Sequence, residues 1–385
     1  MICMPPTADG HWSQWAASDP YTLGVEEEVM LLDPDNDWSL AQRIDDVLPQ
    51  LSAALGERVA GETHGSAVEL STDPHDTVEV AAAQVTHLRE ALARELATPG
   101  LRTASAGTHP SAVWNEIRIS GGDRHQAVYG SMRELARREP TFALHVHIGV
   151  DDPESAILLY NRLRGHLALV LALATNSPFW QGRDTGLASA RIPIFQAFPR
   201  VGVPRRFADY HDYVETVDLL LRCEAFPEPT FLWWDLRPQP KFGTVEVRVM
   251  DAQTRPHATR ALVALLQSIA HLELEEGYLT DERIGSPEVL AENRFIASRD
   301  GVHARLIDPV AEQRVPVQRL VDDLMSALAP HADVLGCRDA LETVTELVRE
   351  SGSDEQLRIF KEVCSLPRLV ERLATDFCAP AAAAR

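Results

Sequence analysis

A chain of 385 residues, 45% hydrophobic and 24% charged, has the composition of an ordinary globular protein that can build a large core. Its formal net charge of −21 argues against binding to nucleic acid or to an anionic membrane, because both require basic surfaces. We therefore expect small molecules as partners.

No long linker, low-complexity tract or internal repeat divides the sequence. We expect one catalytic domain over residues 1–385, with a flexible N-terminus at 1–20 and a frayed tail at 379–385. No secretory signal is visible, and the longest apolar stretch, Leu167–Ala174, is too short to span a bilayer. Five cysteines without Cys-x-x-Cys spacing are typical of reduced thiols in a cytoplasm.

Strands and helices are predicted in alternation over the first two thirds of the chain, and mostly helices follow. Alternating or β-branched runs predict strands at 22–32, 67–71, 101–106, 142–150, 192–198, 230–236 and 244–250. Helical spacing of apolar residues predicts helices at 76–96, from Pro153 up to Asn176, from Pro256 to about 277, and at 317–328, 338–350, 354–363 and 367–377. This organisation indicates an α+β fold with a largely antiparallel sheet.

The first predicted strand carries Gly24-Val25-Glu26-Glu27-Glu28 inside an apolar segment, where three adjacent acids are costly. Alternate side chains of a strand share a face, so Glu26 and Glu28 point one way and Glu27 points the other. Like charges at this spacing raise each other's pKa unless a cation neutralises them. Oxygen ligands favour magnesium or another hard cation. For the triplet alone, a solvated acidic edge strand is an equal alternative.

Two more strands repeat this pattern of polar residues on one face. Glu69 lies between apolar neighbours in its strand, and His145 and His147 share one face of theirs. Two imidazoles directed at one point can ligate a metal or hold a phosphate. A pair of hydrogen-bonded core histidines is the commoner use of a His-x-His pattern by itself.

A fourth strand has valines on one face and Glu246 with Arg248 on the other. The two residues fit a cross-strand salt bridge. They fit equally a metal ligand beside a phosphate-binding arginine, because the guanidinium fork matches phosphate oxygens. Lysine is nearly absent, so phosphate neutralisation must fall on arginines, helped by Lys241 just before this strand.

Together the four strands predict a site for two or more divalent ions in a common funnel of the sheet. Zinc hydrolases also use His-x-His, but the many carboxylates and the absence of accompanying cysteines favour a hard cation that bridges nucleotide phosphates. The chain has no Gly-x-x-x-x-Gly-Lys-Ser/Thr loop and no Gly-x-Gly-x-x-Gly, which excludes P-loop and Rossmann sites.

In their order, these motifs resemble those of the glutamate–cysteine ligase type 2 group of carboxylate–amine ligases, within the glutamine synthetase-like superfamily. The resemblance covers most of the chain. The matching segments are Gly24–Glu28, His64–Thr72, His145–Val150, Asp184–Ser189, Trp233–Pro238, Gly243–Arg248 and Glu292–Arg294.

This resemblance implies a curved, mostly antiparallel sheet that forms a funnel covered by helices, with Mg²⁺ or Mn²⁺ as cofactor and ATP as co-substrate. Glu62, seven residues before Glu69, also matches an acid of related ligases. The sequence does not decide which histidine is the metal ligand. The implied metal ligands are Glu26, Glu28, Glu69, Glu246 and His145, with Glu27 as a spacer, and the implied ATP-binding residues are Lys241, Arg248 and His147.

The implied reaction joins glutamate, through its side-chain carboxyl, to cysteine or another amine by way of an acyl phosphate. Glu246 and Arg248 are the expected catalytic residues. Substrate carboxylates need cationic anchors, for which we expect Arg191 first, then Arg237 and Arg294. The alternatives are a nucleotide-binding regulatory protein on a ligase scaffold and a guanidino phosphotransferase. The resemblance also suggests a homodimer.

Overall fold

The computed structural model describes residues 12–138 and 140–379, which contain an antiparallel sheet and two short hairpins. The strands are β1 (Leu23–Asp33), β2 (Ser39–Leu40), β3 (Val59–Gly61), β4 (Ala67–Ser71), β5 (Arg102–Ala104), β6 (Ala143–Gly149), β7 (Phe179–Trp180), β8 (Arg183–Asp184), β9 (Leu236–Gln239), β10 (Thr244–Asp251), β11 (Arg305–Asp308) and β12 (Gln313–Pro316).

Helices cover the sheet and make up most of the C-terminal third. They are α1 (Ile44–Val47), α2 (Ala53–Gly56), α3 (Val78–Ala97), α4 (Asp123–Met132), α5 (Pro153–Ala174), α6 (Arg191–Phe195), α7 (Tyr210–Arg222), α8 (Pro256–Glu275), α9 (Asp281–Ile284), α10 (Pro287–Asp300), α11 (Val317–Leu335), α12 (Arg338–Glu342), α13 (Val344–Arg349), α14 (Gly352–Val363) and α15 (Leu366–Asp376).

The main sheet has eight strands in the order β3-β4-β1-β6-β10-β9, with β2 and β5 paired to the end of β1. Every pairing in it is antiparallel, as the sequence predicts. One face is apolar and packs against α3, α5 and α8, because the odd residues of β1 such as Leu23 and Val25 point toward these helices. The opposite face carries the charged residues of the predicted metal site.

Helix α5 is the central helix of the core. Asp152 caps it by accepting hydrogen bonds from the backbone N–H groups of Glu154 (2.9 Å) and Ser155 (3.0 Å), and Pro153 occupies its first turn. By length and composition it could cross a membrane, but 83% of its apolar window is buried inside the protein. Its apolar surface is therefore used for packing against the sheet and α10.

Two predicted strands are wrong. Residues 191–195 form helix α6, since Pro193 cannot donate to a sheet but fits the first turn of a helix, where N–H groups have no helical partner. In the segment predicted as 230–236, Pro229 instead opens a short 3₁₀ turn, and β9 begins only at its last residue, Leu236. Strand β9 lies at the sheet edge, which tolerates Pro238.

Among the helices of ten or more residues, α4, α7 and α10 have no counterpart in the prediction. Two of them carry ordinary start signals, because Asp209 caps α7 and Ser286 caps α10 through a side-chain oxygen. The helix predicted at 338–350 is two short helices, α12 and α13.

Residues 12–20 belong to the predicted flexible terminus, but the structure holds them against the turn between β9 and β10. The backbone N–H of Ala16 donates to the carbonyl of Pro240 (2.9 Å), and the Ser18 hydroxyl donates to that of Phe242 (2.7 Å). The Trp15 indole donates to the carbonyl of Val150 (3.0 Å). Residues 1–11 and 380–385, the rest of the predicted flexible ends, lie outside the described residues.

Candidate active site

The charged face of the sheet forms a row of paired side chains across five neighbouring strands. Because directly opposed residues in an antiparallel pair point to the same face, the strand registers alone bring these side chains together. The opposed pairs are Glu69 with Glu28, Glu26 with His145, His147 with Glu246, and Glu246 with Arg237.

Three overlapping groups in this row have ligand atoms that all lie within 4.8 Å of one another. The groups are Glu26 with His147 and Glu246, Glu26 with Glu69 and His145, and Glu28 with Glu62 and Glu69. The structure therefore brings together every residue that the sequence suggested as a metal ligand, and it places Glu62, the further acid noted in the sequence, beside Glu28 and Glu69. Such oxygen-rich sets are typical of hard divalent cations.

Glu26 lies at the centre of the row, between the two histidines. Its carboxylate oxygens are 3.2 Å from His145 Nδ1 and 3.4 Å from His147 Nε2. Desolvation alone would raise the pKa of Glu26, but the hydrogen bonds from both histidines outweigh it and hold the pKa below its ordinary range. The neighbouring Glu246 and Glu26 likewise outweigh desolvation and raise the pKa of His147.

Among the described residues, Glu28 and Glu69 are the acids of the row that form no ion pair, although Arg248 lies near enough to lower the pKa of both. Desolvation, and then the charge of Glu62, raise the pKa of Glu28 to about 8. Desolvation followed by the surrounding acids raises the pKa of Glu69 well above its ordinary value. The backbone N–H of Ala143 donates a hydrogen bond to Glu28 (2.7 Å). A bound cation would offset the desolvation and the repulsion that raise the pKa values of these two acids.

His145 has the geometry of a metal ligand. Its Nδ1 contacts the Glu26 carboxylate, while its buried Nε2 has no hydrogen-bond partner among the described residues. Desolvation, assisted by Arg248, lowers the pKa of His145 to about 4, so the ring is neutral. A neutral ring that donates from Nδ1 presents a lone pair at Nε2, which is the arrangement found in metal-bound histidines. The donor set therefore fits a divalent cation.

Glu246 is held as an anion by two arginines. Arg237 Nε donates to it (2.9 Å), Gln239 Nε2 donates to the same oxygen (2.6 Å), and Arg248 pairs with the other oxygen. Desolvation is outweighed by the charges of Arg237 and Arg248, which keep the pKa of Glu246 well below its ordinary value. Only 1% of the surface of Glu246 is exposed, so this residue is a buried, fixed negative charge within the row.

Two of the expected substrate anchors are used inside the protein. Besides pairing with Glu246, Arg237 donates to the carbonyls of Thr230 (2.9 Å) and Leu232 (3.1 Å). Arg294 pairs with Asp235 and donates to Gln196 Oε1 (2.8 Å). A substrate carboxylate would have to displace these contacts, and the expected anchoring role of both arginines stays a prediction. In the structure, Arg237 holds Glu246, and Arg294 joins α10 to the segment before β9.

Arg191 and Lys241 differ in their surroundings. Arg191 is 3% exposed, donates to the carbonyls of Val249 (3.3 Å) and Arg248 (3.2 Å), and lies 4.0 Å from Asp251, but its Nε has no partner among the described residues. It thus keeps a buried donor for a ligand. Lys241 is exposed, with its ammonium over the Phe242 ring (5.5 Å).

Gln239 and Asp251 are site residues that sequence reasoning missed. Gln239 shares a face with Arg237 on β9, a signal that was hidden because the predicted strand ended before it. Asp251 accepts hydrogen bonds from Ser177 Oγ (2.7 Å) and Ser189 Oγ (2.8 Å) and faces Arg191. No local sequence pattern identifies Asp251 as a site residue, because its hydrogen-bond partners come from distant segments of the chain.

The same fold occurs in two solved proteins. Glutamate–cysteine ligase from Francisella tularensis, solved in complex with AMP, superposes with a TM-score of 0.67 at 12% identity, over 95% of this chain and 90% of that one. A bifunctional glutathione synthetase from Pasteurella multocida gives a TM-score of 0.70 at 12% identity, over 93% of this chain and 52% of that one. These likenesses establish the glutamine synthetase-like fold predicted from the sequence.

Comparison with sequence relatives identifies the family to which the chain belongs. A protein of Rubrobacter xylanophilus named "Putative glutamate--cysteine ligase 2-1" is 38% identical over 346 residues, 89% of this chain and 91% of the relative. A Roseiflexus protein named "Putative glutamate--cysteine ligase 2" is 37% identical over 364 residues, 93% of this chain and 94% of the relative. The protein is thus an enzyme of the carboxylate–amine ligase class. The model of glutamate–cysteine ligase family 2 matches residues 22–365, and the chain belongs to that family.

Proposed function

We propose that the protein uses ATP and a divalent cation, Mg²⁺ or Mn²⁺, to join the side-chain carboxyl of glutamate to cysteine or another small amine. The observation that supports this most strongly is the meeting of Glu26, Glu28, Glu69 and Glu246 in three overlapping ligand groups on one face of the sheet. The cysteines at 223, 337, 364 and 378 form no disulfide, which is consistent with a cytoplasmic enzyme.

The proposed chemistry solves a leaving-group problem. A carboxylate oxygen does not leave when an amine attacks, so the γ-phosphoryl group of ATP is first transferred to it, which forms an acyl phosphate and releases ADP. The amine nitrogen then attacks the acyl carbon, loses a proton, and expels inorganic phosphate as the amide forms. When bound, the cation would neutralise phosphate charge during the first step.

The residues of the row have different proposed roles, which depend on their charge. Glu26, Glu28, Glu62, Glu69 and Glu246 would hold the cations, with His145 and His147 as the nitrogen donors of two of the three groups. Arg248 carries a positive charge that the Glu246 carboxylate stabilises, and its buried Nε has no partner among the described residues. This N–H is available to a phosphoryl oxygen, where a fixed cation lowers the barrier by balancing developing charge. Arg237 and Gln239 hold the Glu246 carboxylate in place, and this carboxylate in turn fixes the position of the Arg248 guanidinium.

The test is phosphate release together with amide formation in purified protein supplied with Mg²⁺, ATP, glutamate and a panel of amines that includes cysteine. We expect coupled release of one phosphate per amide. Glu246→Gln should lower kcat by at least 100-fold while the fold, followed by circular dichroism, is retained. Absence of turnover with every pair, while Mg-ATP still binds, would instead indicate a regulatory protein. A stable phosphorylated product would indicate a phosphotransferase.

A further inference from the structure

Thr244 places a buried hydroxyl beside the acid row, the line of paired acids and histidines on the charged face of the sheet. It lies two residues before Glu246 on β10, so both side chains point to the same face. Only 8% of Thr244 is exposed. Its Oγ1 is hydrogen-bonded to Nδ1 of His147 (2.9 Å), and among the described residues this hydroxyl has no other hydrogen-bond partner. Thr244 therefore contacts the acid row through a single imidazole.

The other ring nitrogen of His147 is directed at two acids. His147 Nε2 lies 3.4 Å from a Glu26 oxygen and 4.0 Å from a Glu246 oxygen. These three residues form one of the three ligand groups, and His147 belongs to neither of the other two. A cation at Nε2 needs the lone pair of that nitrogen, so the proton of the neutral ring must then lie on Nδ1. The atom that faces Nδ1 is the Thr244 oxygen.

A hydroxyl suits this position because it can either donate or accept a hydrogen bond. When Nε2 carries the ring proton and donates to Glu26, the Thr244 hydroxyl donates to Nδ1. When Nε2 faces a cation, Nδ1 carries the proton and Thr244 Oγ1 accepts it. His145 differs, because its Nδ1 faces the Glu26 carboxylate (3.2 Å), which only accepts when it is ionised.

The hydrogen bond to Thr244 also selects the orientation of the imidazole. Gly24 lies directly opposite His147 on β1, where an added Cβ would come 3.4 Å from the His147 Cβ. The Phe242 ring packs edge-on against the imidazole, with centroids 6.0 Å apart and an interplanar angle of 83°. Packing of this kind does not distinguish the two flipped orientations of the ring, because nitrogen and carbon are nearly equal in size. The hydroxyl at Nδ1 favours the orientation in which Nε2, rather than a ring carbon, faces the acids.

We propose that Thr244 is a positioning residue for a divalent cation held by Glu26, His147 and Glu246. It accepts the Nδ1 proton of His147 and thereby presents the Nε2 lone pair to the cation. The inference rests on the metal dependence of the proposed function. Hydrogen-bond partners of this kind fix the tautomer and orientation of metal-bound histidines and raise their basicity. Because His147 belongs to one ligand group only, Thr244 acts on one cation and not on the others.

The variants Thr244→Val and Thr244→Ser test the proposal in the full-length protein. Valine keeps the shape of threonine and removes the hydroxyl, so Thr244→Val should weaken one class of Mn²⁺ sites by roughly 10- to 100-fold. The class that belongs to Glu28, Glu62 and Glu69 should be unchanged. Thr244→Ser keeps the hydroxyl and should bind Mn²⁺ as the wild type does. Electron paramagnetic resonance of the free Mn²⁺ ion measures each class.

The control variant is Thr103→Val, because Thr103 is a buried threonine of β5 outside the ligand groups. It should bind Mn²⁺ as the wild type does. A second readout is ¹⁵N NMR of histidine-labelled protein with Mg²⁺, in which the signals of His147 are identified by their loss in His147→Gln. We expect the ring proton on Nδ1 in the wild type and on Nε2 in Thr244→Val, where Nδ1 has no acceptor.

The outcomes separate this inference from the proposed function. If the wild type binds Mn²⁺ and Thr244→Val matches it in affinity and in the position of the ring proton, the role of Thr244 is overturned and the metal site stands. An equal loss in every class of sites, together with a lower melting temperature, would overturn it by showing that Thr244 supports the fold. If the wild type binds no Mn²⁺, both the metal dependence and the role of Thr244 fail.

Discussion

Glu27 and Arg89 form a buried ion pair on the face of β1 opposite the acid row. Arg89 Nε and one terminal nitrogen each lie 2.7 Å from a Glu27 oxygen, and both side chains are at most 1% exposed. Thr259 Oγ1 also donates to Glu27 (2.6 Å), and the Phe377 ring covers the guanidinium (4.8 Å). The middle acid of the triplet is therefore a link between β1, α3 and α8.

Glu27→Gln should lower the free energy of unfolding by about 3–5 kcal/mol, because it leaves Arg89 charged and unpaired in the core. The double variant Glu27→Leu with Arg89→Met should lose much less than the sum of the single changes, since no lone charge remains. Urea denaturation measures both. A loss below about 1 kcal/mol for Glu27→Gln would mean that the pair is not the link described here.

Glu69→Gln should have opposite effects on the metal-free and metal-loaded protein. Without metal, it removes a desolvated acid beside Glu28 and Glu62 and should stabilise the fold by on the order of 1 kcal/mol. With Mg-ATP, the wild type should gain about 2.7 kcal/mol at a hundredfold excess over its dissociation constant, and the variant should gain less. Thermal melts with and without Mg-ATP measure this. Equal gains in the two proteins would exclude Glu69 from the metal site.

His109 should make the fold sensitive to acid. Its Nε2 donates to the carbonyl of Trp38 (2.9 Å), and its Nδ1 accepts from the N–H groups of Ser111 and Ala112, so only the neutral ring fits. Burial lowers the pKa of His109 to about 4, against 6.5 in the unfolded chain. The unfolded state thus takes up the proton first, and stability falls by about 3 kcal/mol between pH 6.5 and pH 4.

The measurement for His109 is urea denaturation of the wild type and of His109→Gln at several pH values from 7.5 to 4. The variant should have lower stability at pH 7.5 and a shallower decline below pH 6.5. Parallel declines in the two proteins would show that other groups account for the acid sensitivity.

Gly243 should tolerate substitution less well than Gly277, although both have left-handed backbones with φ of +62° and +66°. A Cβ on Gly243 would lie 1.9 Å from the Ala16 carbonyl oxygen, whereas a Cβ on Gly277 meets no atom within 4 Å. Gly277→Ala should cost only the backbone strain, about 1–2 kcal/mol, and Gly243→Ala distinctly more. Equal losses in urea denaturation would mean that residues 12–20 do not pack against this turn.

Sequence patterns predicted the acid row because its residues lie on strands with strict alternation. The face shared by Glu26 and Glu28, or by His145 and His147, follows from a period of two residues, and the family resemblance implies that these motifs belong to one metal site. Local patterns misjudged residues 192–198 and 230–236, where proline changes the backbone, and they missed α4, α7 and α10.

The parts of the site that depend on distant partners could not be predicted. The ion pairs of Arg237 with Glu246 and of Arg294 with Asp235 are identified only by the folded geometry. Glu27 resembled a spacer because Arg89 lies 62 residues away in the chain. A charged residue that becomes buried needs a partner, but the sequence does not show which residue this is. Tertiary packing determines the partner.

Titration of Mn²⁺ into the metal-free protein, followed by the electron paramagnetic resonance signal of the free ion, tests most directly whether the acid row is a metal site. We expect more than one Mn²⁺ to bind per chain, weakly or not at all in Glu26→Gln, since Glu26 belongs to two of the three ligand groups. The exposed acid Glu79 provides the control variant Glu79→Gln, which should bind as the wild type does. Absence of saturable binding in the wild type, or unchanged binding in Glu26→Gln, would contradict the account.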